Sequence, residues 1–439
     1  MSFLSMLQAA SRDADSRKYD DIYAGHVSLA SLGVTLPPET RVLEMAAPYP
    51  QLAVDVLAEV LTPEGFVCRG FEDQLSLVWS WWQANNMDTL AKLAFTDAMV
   101  RGVVYWTAAK LPDGRMRFQA LSPDSATVEY DYAGDVVEGI WRYRLADGVD
   151  AATYYTPGET VMMERRMGQW RVGARTVTGA DRPTIVPMAN RTRLDQTRGL
   201  SELEQVIRIT DAASRSLTNL QVAQELLAWP VRGLFGDKIN EQFKPGGKNG
   251  GRRKIEAYMG GLVTGPPGTE LKQLPGAELR QIIETVKLYA MMVSAQTGIP
   301  PSMLGISTDN PSSAEAMRAA KERLITRAEF KQAVFGDSLE ALALLALQLD
   351  GVDVSGMDTL ECVWRDPATP SVSAKAANAL QAQAQGVITA ETAREFLALT
   401  PEQKRREASR SSFLTDWEIA EEAGPALVEG VGGESAGTW

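Results

Sequence analysis

The residues best suited to chemistry are few. Gly336-Asp337-Ser338-Leu339 spells the nucleophile block of a lipase-like hydrolase family, in which the serine follows a strand. Here Phe335 and Leu339 fall on the apolar stripe of a long helical segment, so Ser338 lies within a helix. The only histidine, His26, stands in no recognisable relation to an acid, and a Ser-His-Asp set would rest on that one residue. No G-x-x-x-x-G-K-[ST] occurs, which leaves no phosphate-cradling loop for an ATPase. Asp350, Asp353 and Asp358 lack the alternate spacing and the glycine of a calcium loop. Cys68 and Cys362 have no Cys or His at ligand spacing, so zinc is not supported, and so sparse a pair reads as reduced thiols without a disulfide. The residues therefore argue for no enzyme, no cofactor and no resident metal.

One cluster of charge stands without nearby acids: Lys244, Lys248, Arg252, Arg253 and Lys254, in the glycine-rich stretch KPGGKNGGRRK. Taken alone it reads as a solvated loop; the other reading is a contact with an acidic partner or DNA. The whole chain is acidic, with a net charge of −12. That argues against a sequence-reading DNA binder, because such proteins gain affinity by neutralising phosphates with a basic face. An acidic surface either keeps a protein soluble or lets DNA slide past without adhering. At 439 residues, 45% hydrophobic and 23% charged, the chain is long enough for two to four folded domains. Its start, MSFLSMLQAASRDADSRKYDD, has no apolar core of signal-peptide length, and the apolar run 341–347 falls short of the roughly 20 residues that cross a bilayer. The expectation is a protein neither secreted nor membrane-spanning.

The elements that must position these residues are organised around 297–350. A helix ends near Thr297-Gly298, the pair Pro300-Pro301 forbids its continuation, and Ser312-x-x-Glu315 is a capping box for a new helix from Ser313 to Leu349. Ile325, Ala328, Gln332, Phe335, Leu339, Leu342, Ala346 and Leu349 recur at steps of three and four, giving one apolar stripe. At 1.5 Å per residue the helix is roughly 55 Å long, the length of a strut. Residues 1–100 read as mostly helical, with helix from Gln51 to Leu61 and a continuous run from Asp73 to Met99. Trp79, Trp81 and Trp82 read as packed core, since no basic residues interleave with them as in a base-stacking platform.

From Val103 to about Pro187 the period changes to two, punctuated by turns such as Pro112-Asp113-Gly114 and Thr156-Pro157-Gly158, which predicts an antiparallel meander. Helix returns at Ser201-x-x-Glu204, a second capping box, and stops at Trp229-Pro230. A glycine-rich segment follows, with β-like runs at Val231 to Phe235 and Glu270 to Leu274, then helix from Glu278 to Gln296. After Leu349 come a short strand at Leu360 to Trp364, an Ala/Gln-rich helix at Val372 to Gln385, a helix starting at Thr400-Pro401-x-Gln403, and an acidic tail.

Three motifs carry a resemblance: T-G-I-P-P-x-x-L-G at Thr297 to Gly305, N-P-S-S-A-E-A-x-R-A-A at Asn310 to Ala320, and K-x-x-x-F-G at Lys331 to Gly336. Tyr23-Ala24-Gly25, Trp82 to Asn86 and Trp364-Arg365-Asp366-Pro367 add to it more loosely. Across nearly its whole length the chain resembles the portal, or head-to-tail connector, proteins of tailed double-stranded DNA bacteriophages. The resemblance implies an α+β ring subunit. Its parts would be a wing of N-terminal helices and β-meander at 1–197, a first stem helix at 198–229, a small clip at 230–277, a second stem helix at 278–305, a tunnel loop at 306–312, a long strut helix at 313–350, and a return strand with a short helical crown and acidic tail at 351–439.

It further implies a structural ring of twelve copies at one vertex of the phage capsid, a conduit for DNA packaging and genome ejection. The implied partners are its own copies, the major capsid protein, the terminase packaging motor, the head-tail adaptor and duplex DNA passing non-specifically, with no membrane. The place of action would be the virion's portal vertex, reached from the host cytoplasm during assembly. Ser307, Thr308, Asp309 and Asn310 would face DNA in the tunnel, touching it through sterics and hydrogen bonds. Lys244, Lys248, Arg252, Arg253 and Lys254 of the clip would meet a partner or DNA. The alternatives are another ring-forming or scaffolding virion protein, or a serine hydrolase built on Ser338.

Overall fold

The computed structural model describes residues 3–10, 14–26, 43–228, 232–235, 262–265, 279–306, 314–368 and 379–387. In chain order these form α1 (Phe3–Ala9), α2 (Ala14–Tyr23), α3 (Tyr49–Val60), β1 (Pro63–Val67), α4 (Glu72–Ala84) and α5 (Met87–Arg101). Eight strands follow: β2 (Val103–Lys110), β3 (Met116–Leu121), β4 (Ala126–Tyr130), β5 (Val136–Arg144), β6 (Asp150–Thr156), β7 (Glu159–Arg166), β8 (Gln169–Val177) and β9 (Ile185–Ala189). A 3-10 turn at Glu202–Gln205 leads into α6 (Ile207–Ala228), then β10 (Arg232–Phe235), β11 (Leu262–Gly265) and α7 (Leu279–Thr297). A second 3-10 turn at Pro301–Leu304, α8 (Ala314–Asp350) and β12 (Glu361–Trp364) complete the order.

Two sheets and a helical layer share the core. β2 is buried on both faces from Val103 to Ala108 and pairs antiparallel with β3 on one side and β9 on the other. Strand alternation divides its side chains. Val104, Trp106 and Ala108, with Val186 and Met188, pack against Phe95 of α5 and Phe335 and Leu339 of α8. Val103 and Tyr105, with Ile185 and Ala189, pack against Ala126, Val128 and Tyr155 of the second sheet. That sheet is a meander of β4 to β8 in sequence order, every pair antiparallel. The sheets touch at Gly139 of β5, where a Cβ would lie 2.4 Å from Cγ2 of buried Ile185, so only glycine permits the approach. α1 covers one end of the meander through Phe3, Met6 and Leu7 against Ile140, Ala152 and Trp170.

The mixed helix and antiparallel-sheet character follows the sequence periods, but the helical run expected from Asp73 to Met99 is broken. Asn86 takes a left-handed φ of 51°, which separates α4 from α5. Asparagine tolerates this conformation better than other non-glycine residues. Its neighbour Asn85 donates to the carbonyls of Trp81 (2.8 Å) and Met116 (3.0 Å) and accepts from the Phe118 amide (3.1 Å), tying the break to β3. Leu93 of α5 is 60% exposed, whereas Ala91, Ala94 and Phe95 are buried. Trp82 is buried and stacks on Trp79 at 5.5 Å, as a packed core requires.

α8 runs for 37 residues, about 55 Å, as its stripe predicts. Ala328, Gln332, Phe335, Leu339, Leu342 and Ala346 are all buried. By length and composition alone Lys321–Asp350 is apolar enough to cross a membrane, yet its apolar face is filled by contacts with α3, α4, β2, β9 and β12. α6 packs along α7, and β10 pairs in parallel with β11. β12 returns to pair antiparallel with β1. The chain divides into two units, Met1–Pro367 and Ala368–Trp439; in the second, a short helix occupies 379–384.

Candidate functional site

The motif residues converge on one face of α8. Arg323, Arg327 and Lys331 follow one another at four-residue steps, which aligns them along the helix. Arg323 donates to the carbonyl of Ala295, and Arg327 Nη1 donates to those of Thr297 (2.6 Å) and Gln296 (3.2 Å). These are terminal carbonyls of α7, which have no amide partner within their own helix. A cation there also meets the negative end of the helix dipole. Gly298 ends α7 at a φ of 75°, and the Ser294 hydroxyl donates to the Ile299 carbonyl at 2.7 Å. The Thr-Gly-Ile segment is thus a helix stop pinned by two arginines of α8.

Glu202 approaches from the other side. Its position is set by the connection after β9, where Gly102 and Gly199 cross closely: a Cβ on Gly199 would lie 2.0 Å from the Gly102 carbonyl oxygen, and Gly199 has a φ of 71°. Asn190 donates its backbone amide to that same Gly102 oxygen at 2.7 Å. Ser201 then caps the 3-10 turn, accepting from the Leu203 amide (3.1 Å) while donating to the Val100 carbonyl (2.5 Å). Only half of the expected capping box forms, because the Glu204 carboxylate accepts from the Tyr19 hydroxyl of α2.

Within this frame Glu202 Oε1 lies 2.6 Å from Lys331 Nζ and Oε2 lies 2.7 Å from Arg327 Nη2. Gln205 Nε2 donates to Oε2 at 2.5 Å, and Asn190 accepts from Lys331 while donating to Oε1 at 3.2 Å. Burial alone would raise the Glu202 carboxyl, but Lys331 and Arg327 hold it below the usual carboxylate range. Burial pushes the Lys331 ammonium down, and Glu202 opposes that. The cluster binds β9, the turn before α6, the end of α7 and the middle of α8 into one charge-satisfied joint.

One turn further along α8, Phe335 stacks on Phe95 at 5.4 Å, and Phe95 meets Trp364 of β12 at 5.5 Å. Gln332 donates to the Arg365 carbonyl at 2.9 Å, and the Cys362 amide donates to Glu340 at 2.9 Å. A Cβ on Gly336 would come within 3.3 Å of Trp364 Nε1, so this glycine gives β12 its close seat on α8. The K-x-x-x-F-G and Trp-Arg motifs are thus parts of one packing arrangement.

The Ser338 hydroxyl donates to the Pro187 carbonyl at 3.1 Å on the wall of a cleft of about 760 Å³ that it shares with Asp337, Arg191 and Tyr130. No histidine is among the residues lining that cleft. Sequence reasoning missed the joint itself: Glu202, Arg327 and Asn190 were not singled out. The signal was Lys331, which sits three residues after Ala328 and four before Phe335, in register with the apolar stripe. The expected tunnel residues Ser307, Thr308, Asp309 and Asn310 and clip residues Lys244, Lys248, Arg252, Arg253 and Lys254 lie outside the described residues. So do Ser312 of the Ser312-x-x-Glu315 capping box, the β-like run at 270–274, the helix start at Thr400 and the acidic tail.

The sequence matches the family described as "Phage portal protein, SPP1 Gp6-like" over residues 16–409. It is 37% identical to the portal protein of Mycobacterium phage D29 over 384 residues, covering 83% of this chain and 78% of the relative. It is 35% identical to the portal protein of Mycobacterium phage L5 over 409 residues, covering 89% and 83% respectively. A chain of the solved structure described as "Neck of native GTA particle computed with C12 symmetry" aligns at 16% identity with a TM-score of 0.43, covering 85% of this chain and 99% of that one. The family match and these two relatives extend over most of the sequence, motif residues included, and the chain belongs to the SPP1 Gp6-like phage portal proteins.

Proposed function

We propose that this portal protein assembles as a ring of twelve copies at one capsid vertex and serves as the conduit through which DNA is packaged and later ejected. It acts as a structural subunit, without a catalytic step of its own. The observation that carries the reading is the buried joint of Glu202, Arg327 and Lys331, which fixes the end of α7 to a strut of 37 residues. A subunit that transmits load between a head and a motor needs such a braced frame.

In this reading α6 and α7 are the stem, 230–277 the clip facing the packaging motor and then the tail adaptor, and 1–197 the wing. The segment 306–312 is the tunnel loop, with Ser307, Thr308, Asp309 and Asn310 touching DNA by shape and hydrogen bonds. Its lack of cations agrees with a net charge of −12 in keeping DNA mobile. Lys244, Lys248, Arg252, Arg253 and Lys254 serve the clip's contacts. The major capsid protein surrounds the ring in the virion, and assembly takes place in the host cytoplasm. Light scattering after size exclusion tests the ring: a single high-mass species is expected, and a monomer at every concentration and salt would refute it.

A further inference from the structure

Carboxylates, more than apolar packing, hold α2 to the body of the chain. From Arg17 to Tyr23 only Ile22 is buried, while Tyr19, Asp20 and Tyr23 are half-buried. Each of these three reaches a different element. The Tyr19 hydroxyl donates to Glu204 in the turn before α6. Asp20 accepts from Nε (2.9 Å) and Nη2 (2.7 Å) of Arg101 on α5, and the Tyr23 hydroxyl donates to Asp55 of α3 at 2.6 Å. A helix docked by polar tethers and one buried apolar side chain belongs to the part of a fold that opens locally, ahead of global unfolding.

Two of the groups that α2 would leave behind have other partners. Arg101 also holds Asp124, at 3.2 Å. Glu204 stands three residues after Ser201, the spacing at which its carboxylate accepts from the Ser201 amide and completes a capping box. Ser201 is 7% exposed, and its hydroxyl serves the Leu203 amide and the Val100 carbonyl. Its own amide has no hydrogen bond among the described residues. A buried amide without an acceptor is costly, so the unfinished cap competes for the carboxylate that Tyr19 holds. We infer that α2 is a releasable latch, and that its release passes Glu204 from the Tyr19 hydroxyl to the Ser201 amide. Undocking α2 then tightens the start of α6, two residues from the Glu202 joint. The device operates within one chain and goes beyond the ring reading.

Hydrogen exchange of the full-length protein, read at single residues by mass spectrometry with electron-transfer fragmentation, tests it. In the parent the α2 amides are expected to exchange at least roughly tenfold faster than those of α3 and α5. In Tyr19→Phe, checked for unchanged circular dichroism, the α2 amides should speed up by about threefold or more while the Ser201 amide slows by a similar factor. Adding Glu204→Ala should abolish the slowing at Ser201 and leave α2 fast. A tether without a switch would speed α2 and leave Ser201 unchanged or faster. That result, exchange of α2 at the rate of α3 and α5 in the parent, or slowing at Ser201 that survives Glu204→Ala would each overturn the inference.

Discussion

Lys331 on α8 and Glu202 in the turn before α6 meet at 2.6 Å with side chains 2% and 3% exposed. A buried pair adds little over an apolar pair of equal volume, because desolvation offsets the attraction, but breaking it leaves an uncompensated charge. Glu202→Gln is therefore expected to cost about 3–5 kcal/mol, since Lys331 stays buried without a carboxylate. The double change Glu202→Leu/Lys331→Met should recover much of that loss. Urea unfolding of the parent, Glu202→Gln, the single changes Glu202→Leu and Lys331→Met, and the double variant checks it; strict additivity of the Glu202→Leu and Lys331→Met effects would show that the residues do not act as a pair.

The same pair predicts a pH dependence. The carboxyl of Glu202 lies lower in the folded chain than its ordinary value of 4.5. Its contribution is thus fully present above about 4.5 and is lost as pH falls through the lower folded value. Stability measured from pH 7 downward should decline in that acid window, and Glu202→Gln should decline less steeply there while being less stable at neutral pH. A variant parallel to the parent at every pH would contradict the ionised assignment.

Gly199 and Gly114 both have positive φ, 71° and 84°, but only Gly199 has backbone where a Cβ would stand. Gly114→Ala meets open space and should cost roughly 1–2 kcal/mol from the left-handed conformation alone. Gly199→Ala should exceed it by a further ~1–3 kcal/mol of overpacking against Gly102 and Asn190. Thermal unfolding of the two variants decides it, and equal losses would refute the close crossing.

Much of the fold was legible because single-chain periodicity dictates it. The stripe of α8 from Ala328 to Ala346, the helix stop at Thr297-Gly298 and the alternation of the meander all rest on neighbours in sequence. The break at Asn86 was not, because what stabilises it is the Asn85 amide reaching Met116 and Phe118, more than 30 residues away. The joint was half legible: Lys331 betrays itself as a cation in an apolar register, but its partner Glu202 lies 129 positions earlier, and no local pattern links the two. The close packing of the two sheets likewise rests on the Gly139–Ile185 contact, which is tertiary.

For the proposed tunnel loop, changing Ser307, Thr308, Asp309 and Asn310 together to Gly should leave assembly intact while lowering DNA packaging or retention. Phe335→Asp should instead abolish folding or assembly, since it places a carboxylate where Phe335 is fully buried against Phe95. Packaging by the loop variant equal to that of the parent would remove the loop's role, and assembly of Phe335→Asp would contradict the assigned core face of α8.

The central claim is that copies of this portal protein form a ring with a channel. Negative-stain electron microscopy of the purified full-length chain, with two-dimensional class averages, tests it most directly. The expected result is uniform rings with a central stain-filled hole and twelvefold end-on views. Isolated single-subunit particles across protein concentration and salt, with no annular class, would contradict it.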